Sequence, residues 1–250
     1  MNGERKTINR LNGKISVVLR YFGEVAADIL CPKKCIVCGC LVPLGRKESI
    51  CCDCMSSIGK NSAVVIEPDS YFEEVIGAVP YEGNIRKSMI RFKFNSRRYL
   101  YSAFGYCIYS LIKDREFLKD YHIICPVPIH PLRSREYNQS SLIAKYIADR
   151  LGLKLCDDML LKVKNISPLS SMGYSLRRSS VLGVFDFNLK YDIFGKNIIL
   201  LDDIFTTGST ANECAKILRM YGAANVIVLA ACHGEQKGDN GHGDATDLGY

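Results

Sequence analysis

The stretch Ile198-Ile199-Leu200-Leu201-Asp202-Asp203-Ile204-Phe205-Thr206-Thr207-Gly208-Ser209-Thr210 decides the fold. An apolar run with little alternation fits a strand buried on both faces, as in a parallel α/β sheet. The run ends in two adjacent carboxylates, and small hydroxyl residues with one glycine follow at once. A helical pattern then begins, marked by Ala211, Cys214, Ala215, Ile217 and Leu218. Glycine and hydroxyls at the mouth of a helix make an anion cradle, where backbone N–H groups and the helix dipole meet a phosphate. Two carboxylates beside that cradle suit diol hydroxyls or a hard cation such as Mg²⁺. Together these features describe a pocket for a phosphorylated sugar. The competing reading is a plain strand–turn–helix corner, but a cap needs one hydroxyl rather than a run of them. A G-x-x-x-x-G-K-[ST] run and a G-x-G-x-x-G after a strand do not occur.

Outward from this corner, from about residue 71, strand and helix patterns alternate, which implies βαβ units and a mostly parallel sheet. Strands are expected near 75–80, 122–127, 181–187, 197–202 and 225–231, and helices near 84–93, 97–118, 137–151 and 209–221. Gly152 and Gly222 fall at helix ends, where C-cap glycines belong.

The chain has 250 residues, 48% hydrophobic and 24% charged, enough for one ordinary domain and a small appendage. No apolar run reaches the length of a bilayer span, and the N-terminus lacks the h-region of a secretory signal. A cytoplasmic protein without membrane insertion is therefore expected. The net charge of +7 permits phosphate or nucleic-acid partners without specifying them.

Of the 12 cysteines, seven fall in residues 31–54. Cys35-Ile-Val-Cys38 and Cys51-Cys52-Asp-Cys54 make two C-x-x-C pairs on a short linker, the spacing of a tetrahedral thiolate zinc site. Cys35, Cys38, Cys51 and Cys54 are the candidate ligands. Cys31, Cys40 and Cys52 are spare thiols that stand close enough in sequence to replace one of them. The competing reading is a redox or disulfide pair. Four thiolates leave no open position for water, so the zinc would be structural.

Four regions result. Residues 1–30 are a basic segment leading into an amphipathic helical pattern (Val18, Phe22, Val25, Ala26, Ile29), and residues 31–58 are the zinc element. Residues 59–232 are the α/β domain, of which 59–70 read as a polar linker. Residues 233–250 are rich in Gly and Asp and read as a disordered tail.

The segment 198–210 resembles the PRPP-binding motif of type I phosphoribosyltransferases (PRPP, 5-phosphoribosyl-1-pyrophosphate). Three further segments resemble the ComF branch of that superfamily, also called GntX-like or amidophosphoribosyltransferase-like. They are Tyr81-Glu82-Gly83-Asn84-Ile85-Arg86 running on to Ile90-Arg91-Phe92-Lys93; Cys125-Pro126-Val127-Pro128-Ile129-His130-Pro131 followed by Arg133, Arg135, Tyr137, Asn138 and Gln139; and Arg177 with Gly183 and Phe185.

The resemblance implies a type I phosphoribosyltransferase-like parallel sheet flanked by helices and preceded by a small zinc-ribbon-like Cys knuckle. It makes Asp202 and Asp203 the ribose ligands and Thr206, Thr207, Gly208, Ser209 and Thr210 the phosphate loop. Arg133 and Arg135 would meet pyrophosphate, Arg177 would act from a mobile hood over residues 162–180, and Mg²⁺ would accompany PRPP. The implied activity is phosphoribosyl transfer to an unnamed acceptor. The hood departs from the family pattern at Ile166, Leu169 and Ser180, and Glu136 replaces a glycine.

The family's association with competence adds single-stranded DNA and a helicase-like protein as implied partners. A non-enzymatic PRPP sensor is the alternative to an enzyme. The basic and aromatic run Arg91-Phe-Lys-Phe-Asn-Ser-Arg97-Arg98-Tyr99 suits DNA, against the plainer expectation that Phe92 and Phe94 are core residues.

Overall fold

The structure, a computed structural model, describes residues 32–60, 62–65, 69–130, 136–163 and 183–234. The expected N-terminal amphipathic helix and the glycine-rich tail beyond Gly234 lie outside these residues. The strands are β1 (Ala63–Val65), β2 (Val75–Pro80), β3 (Ile123–Pro126), β4 (Lys154–Leu155), β5 (Leu160–Lys162), β6 (Phe185–Phe187), β7 (Asn197–Phe205) and β8 (Asn225–His233). The helices are α1 (Cys52–Ser57), α2 (Gly83–Phe94), α3 (Tyr101–Ile112), α4 (Gln139–Leu151) and α5 (Ser209–Met220).

Six strands form one sheet in the order β1-β2-β8-β7-β3-β4. All neighbours in it are parallel except β1, which runs antiparallel to β2. From β3 the chain passes through α4 to β4 on one side. From β7 it passes through α5 to β8 on the other. The winding therefore reverses between β3 and β7, and such a reversal leaves a ligand crevice at the carboxyl ends of those strands.

Side chains alternate across the sheet, as strand geometry requires. Ile199 and Leu201 of β7, with Ile227 and Leu229 of β8, join a core completed by α2, α3 and α4. Ile198 and Leu200, with Val226 and Val228, join a second core completed by α5, β5 and β6. β7 is thus apolar on both faces, the condition read from its unbroken run. In α3, Gly105 allows close approach of α4: a Cβ there would stand 2.5 Å from the Tyr146 ring.

The structure departs from the sequence reading in four places. Residues 62–65 are not linker but carry β1, whose valines extend the sheet at the open edge of β2. The strand expected over 181–187 is shorter and leaves the parallel sheet: Phe185–Phe187 pairs antiparallel with Leu160–Lys162. Its buried–exposed–buried pattern is that of a half-covered antiparallel strand. The helix expected over 97–118 is α3 flanked by short 3-10 turns, Arg98–Leu100 and Glu116–Asp120. It stops where the exposed run Lys113-Asp114-Arg115-Glu116 offers no apolar face to bury. Finally, β8 extends to His233, and the Gly234 amide donates to the Phe205 carbonyl at 2.8 Å. Gly152 (φ +68) and Gly222 (φ +94) take the left-handed conformation expected at the ends of α4 and α5. Among the described residues, no helix is long and apolar enough to cross a membrane.

Candidate functional site

Asp202 and Asp203 are consecutive on β7, so alternation sends them to opposite faces of the sheet. Asp203 turns toward α2, where Lys93 Nζ meets its Oδ1 at 2.7 Å with each side chain 14% exposed. Asp202 is buried, and its Oδ1 accepts the Asp203 backbone N–H at 2.8 Å. Burial, and then the neighbouring Asp203 charge, push its carboxyl up to about 7, against the opposing pull of Lys93 and of Lys162 on β5. Two lysines from different elements therefore bear on the acid pair, one from each side of the sheet. In the sequence Lys93 stands inside a longer motif and Lys162 at the start of the 162–180 segment. Their signal is topological, since it takes the packing of α2 and β5 to bring them to β7.

The loop after β7 turns at Gly208, which has φ +68 and precedes the first residue of α5. Glycine adopts that left-handed geometry without steric penalty. No side chain caps α5, so the hydroxyl run is not explained as a cap. Thr207 Oγ1 and Ser209 Oγ lie 3.0 Å apart. Thr206 is exposed, Thr207 and Thr210 are half-buried, and Gly208 and Ser209 are buried. Gly234, at the end of β8, closes one side: a Cβ there would stand 3.1 Å from Thr206 Cγ2. Backbone amides at a helix mouth and several hydroxyls beside two acids can together hold an anion next to a diol.

The loop after β3 reaches the same crevice. His130 is buried there. Arg133, Arg135 and Arg177 lie outside the residues that the structure describes. The structure does explain Tyr137, Asn138 and Gln139. Asn138 Nδ2 donates to the Val127 carbonyl at 2.9 Å, and its Oδ1 caps α4 by accepting from Ser140 N at 3.0 Å. Tyr137 Oη donates to the Phe92 carbonyl at 2.6 Å, and Gln139 Nε2 reaches the same oxygen at 3.4 Å. The triplet thus clamps the β3 loop to the last turn of α2, beside Lys93. Phe92 is fully buried, as the core expectation holds, but Phe94 is 66% exposed.

A second cluster lies in the N-terminal element. The sulfurs of Cys35, Cys38, Cys51 and Cys54 all fall within 4.8 Å of one another. Sulfurs around a tetrahedral ion, bound at about 2.3 Å, stand about 3.8 Å apart, so these four fit such an ion with small adjustment. The donors are right as well: a backbone N–H from Cys40 lowers the Cys38 thiol pKa, and one from Cys54 lowers that of Cys51. Gly39 (φ +81) makes the knuckle turn, with Gly39 N–H to Cys35 O at 3.0 Å and Cys35 N–H to Cys40 O at 2.8 Å. Cys40 stands beside the four, its Sγ 3.2 Å from Cys38 Sγ. Ile36 and Ile50 anchor the element, both fully buried in the core formed with α2 and α3.

Site and fold together define an α/β protein with an acid pair and a hydroxyl-rich loop at its topological switch point, preceded by a four-thiol element. That is the fold class expected from the sequence. No family model matches the chain. The chain is similar to Competence protein F of Haemophilus influenzae, 28% identical over 144 residues, which are 55% of this chain and 63% of that protein. It is similar to ribose-phosphate pyrophosphokinase of Pyrococcus furiosus, 34% identical over 132 residues, 50% of this chain and 47% of that one. DNA utilization protein YhgH of Salmonella typhi is 31% identical over 111 residues, 44% and 48% of the two chains. The chain thus spans about half the length of two of these relatives and 63% of the third. Among solved structures, an adenine phosphoribosyltransferase is similar at TM-score 0.37 and 14% identity, over 70% of this chain and 88% of that one. The likeness to Competence protein F and YhgH, with the thiol cluster, bears out the resemblance to the ComF family.

The acid pair makes a direct stability prediction. Lys93→Met leaves an ionised Asp203 mostly buried without its counter-charge, and lowers unfolding free energy by about 2–4 kcal/mol. Adding Asp203→Asn recovers most of that loss. Urea titration of the four members of the cycle measures it, and additive losses would mean that the pair does not act as a unit.

Proposed function

We propose that the chain binds Mg²⁺·PRPP in the crevice between β3 and β7 and transfers its phosphoribosyl group to an acceptor, with pyrophosphate leaving. The observation that carries this reading is the placement of Asp202 and Asp203 at the switch point, directly ahead of an uncapped hydroxyl loop. The acids accept hydrogen bonds from the ribose 2′ and 3′ hydroxyls. Residues 206–210 receive the 5′-phosphate through backbone N–H and hydroxyl groups. Arg133, Arg135 and Arg177 are assigned to the pyrophosphate, which guanidinium groups grip with paired hydrogen bonds. Bound Mg²⁺ would neutralise charge on the leaving pyrophosphate. Asp202, the proton-retaining member of the pair, ionises when hydroxyl donors or a cation replace its missing stabilisation. The relative named ribose-phosphate pyrophosphokinase supports a ribose phosphate and pyrophosphate as ligand groups. A site of this kind that binds without turnover would be a PRPP sensor instead.

We assign structural zinc to Cys35, Cys38, Cys51 and Cys54, and place the protein in the cytoplasm, where free thiols persist.

A second reading adds single-stranded DNA as a partner. Phe94 and Tyr99 are 66% and 42% exposed, and Arg91, Arg97 and Arg98 are exposed around them. Exposed aromatic rings among arginines form a base-stacking and phosphate-tracking surface. The names of Competence protein F and DNA utilization protein YhgH point the same way.

Three measurements test these readings. Calorimetric titration of Mg²⁺·PRPP should give binding heat with the wild type and none with Asp202→Asn/Asp203→Asn; equal heats would remove the PRPP site. Metal analysis should find close to one zinc per chain, lost in Cys35→Ser/Cys38→Ser, and a metal-free wild type would end the zinc assignment. In fluorescence anisotropy, Arg97→Ala/Arg98→Ala should weaken single-stranded DNA binding at all sequences and reduce the log–log salt slope by about 1 to 2. No binding by the wild type at low salt would remove DNA as a partner.

A further inference from the structure

Resting on the metal reading above, we propose that Cys40 is the oxidation partner of Cys38, and that joining their sulfurs ejects the metal from the four-thiol cluster. Cys40 Sγ is 3.2 Å from Cys38 Sγ, nearer than Cys51 Sγ at 3.6 Å. A tetrahedral ion takes four sulfurs, so Cys40 is a fifth thiol lying against a ligand. Position decides which sulfurs an oxidant meets first. Cys38 and Cys40 are exposed, whereas Cys35 and Cys51 are buried. Cys38 and Cys40 are separated only by Gly39, whose φ of +81 forms the turn between them, whereas the exposed Cys52 lies on the other C-x-x-C segment. Closing the gap to a bond length of about 2.05 Å shortens it by about 1 Å.

The oxidant is a hydroperoxide. The Cys38 thiolate attacks the peroxide oxygen and the O–O bond breaks, leaving a sulfenic acid on Cys38 and hydroxide. The Cys40 thiol then attacks that sulfur. The S–S bond forms, the S–O bond breaks, and the Cys40 proton leaves in water. Two sulfurs are oxidised together by two electrons, and one peroxide is reduced. Cys38 can no longer act as a thiolate ligand. The three remaining thiolates hold the ion less tightly, and it leaves. A disulfide across a single residue is strained and therefore easily reduced by small thiols, so the step is reversible.

The test uses the full chain as purified, treated with a few equivalents of hydrogen peroxide. Released zinc is followed with a chromophoric chelator, and the disulfide by fragment-ion mass mapping. Wild type, Cys40→Ser, Cys40→Ala and Cys52→Ser are compared. Wild type and Cys52→Ser should lose zinc as a Cys38–Cys40 bond appears, and thiol reductant with added zinc should restore them. Both Cys40 variants should release zinc about tenfold more slowly. Equal release from the Cys40 variants overturns the proposal, as does a bond mapped to Cys35–Cys38 or Cys51–Cys54 with Cys40 still reduced. Cys40 variants that lack zinc before oxidation also overturn it, because Cys40 would then be a ligand. If the wild type itself carries no metal, the metal reading fails. The mass map of the oxidised metal-free chain then judges the thiol pair separately: a Cys38–Cys40 bond upholds the pairing, and its absence removes it.

Discussion

Two carboxylates side by side at the end of a doubly buried strand repel each other, and Lys93 of α2 is what makes their placement tolerable. At an effective dielectric of about 20, unit charges about 4 Å apart interact by about 4 kcal/mol. Alternation along β7 divides the problem. Asp203 faces α2 and is neutralised by a 2.7 Å ion pair. Asp202 faces α5 and keeps its proton until near neutral pH, because burial and Asp203 both disfavour its charge. The pair is therefore held short of full ionisation, a state that hydrogen-bond donors or a cation would complete. The same argument fixes α2. Its stripe of Ile85, Met89 and Phe92 must pack on this face so that the last turn carries Lys93 to the strand end. The Phe92 carbonyl, accepting from Tyr137, then ties that turn to the loop after β3.

The elements legible in the sequence are those whose burial is complete. β7 and β8 are apolar on both faces, and an unbroken run of Ile, Leu and Val states that directly. α4 and α5 end at glycines that take the expected left-handed turn. The acid pair and the hydroxyl loop were readable because their chemistry is local to one strand end. What escaped the sequence was set by pairing partners. Val64 and Val65 lie in a polar stretch and become a strand only because β2 offers an open edge. Phe185–Phe187 looks like any short apolar segment, and its partner β5 lies across residues 163–184. Lys93 and Lys162 are ordinary surface-type lysines until α2 and β5 are laid against β7. Phe94 shows the opposite failure: beside the buried Phe92 it reads as core, yet the end of α2 turns it outward.

The four-thiol element is too short to bury a core of its own, so it borrows one. Ile36 and Ile50 insert into the cluster that contains Met89 and Phe92 of α2. Val37 O accepts from Asn84 Nδ2 at 3.2 Å, and Gly39 lies against the same side chain. Asn84 lies in the first turn of α2 and Lys93 in its last, so one helix of about 18 Å joins the thiol knuckle to the acid pair. Helices transmit position well because their backbone is fully hydrogen-bonded along its length. Four thiolates leave a bound ion no position for a reacting water, which rules the cluster out as a hydrolytic centre. The same helix thus carries the contact to the thiol knuckle at one end and the counter-charge of Asp203 at the other.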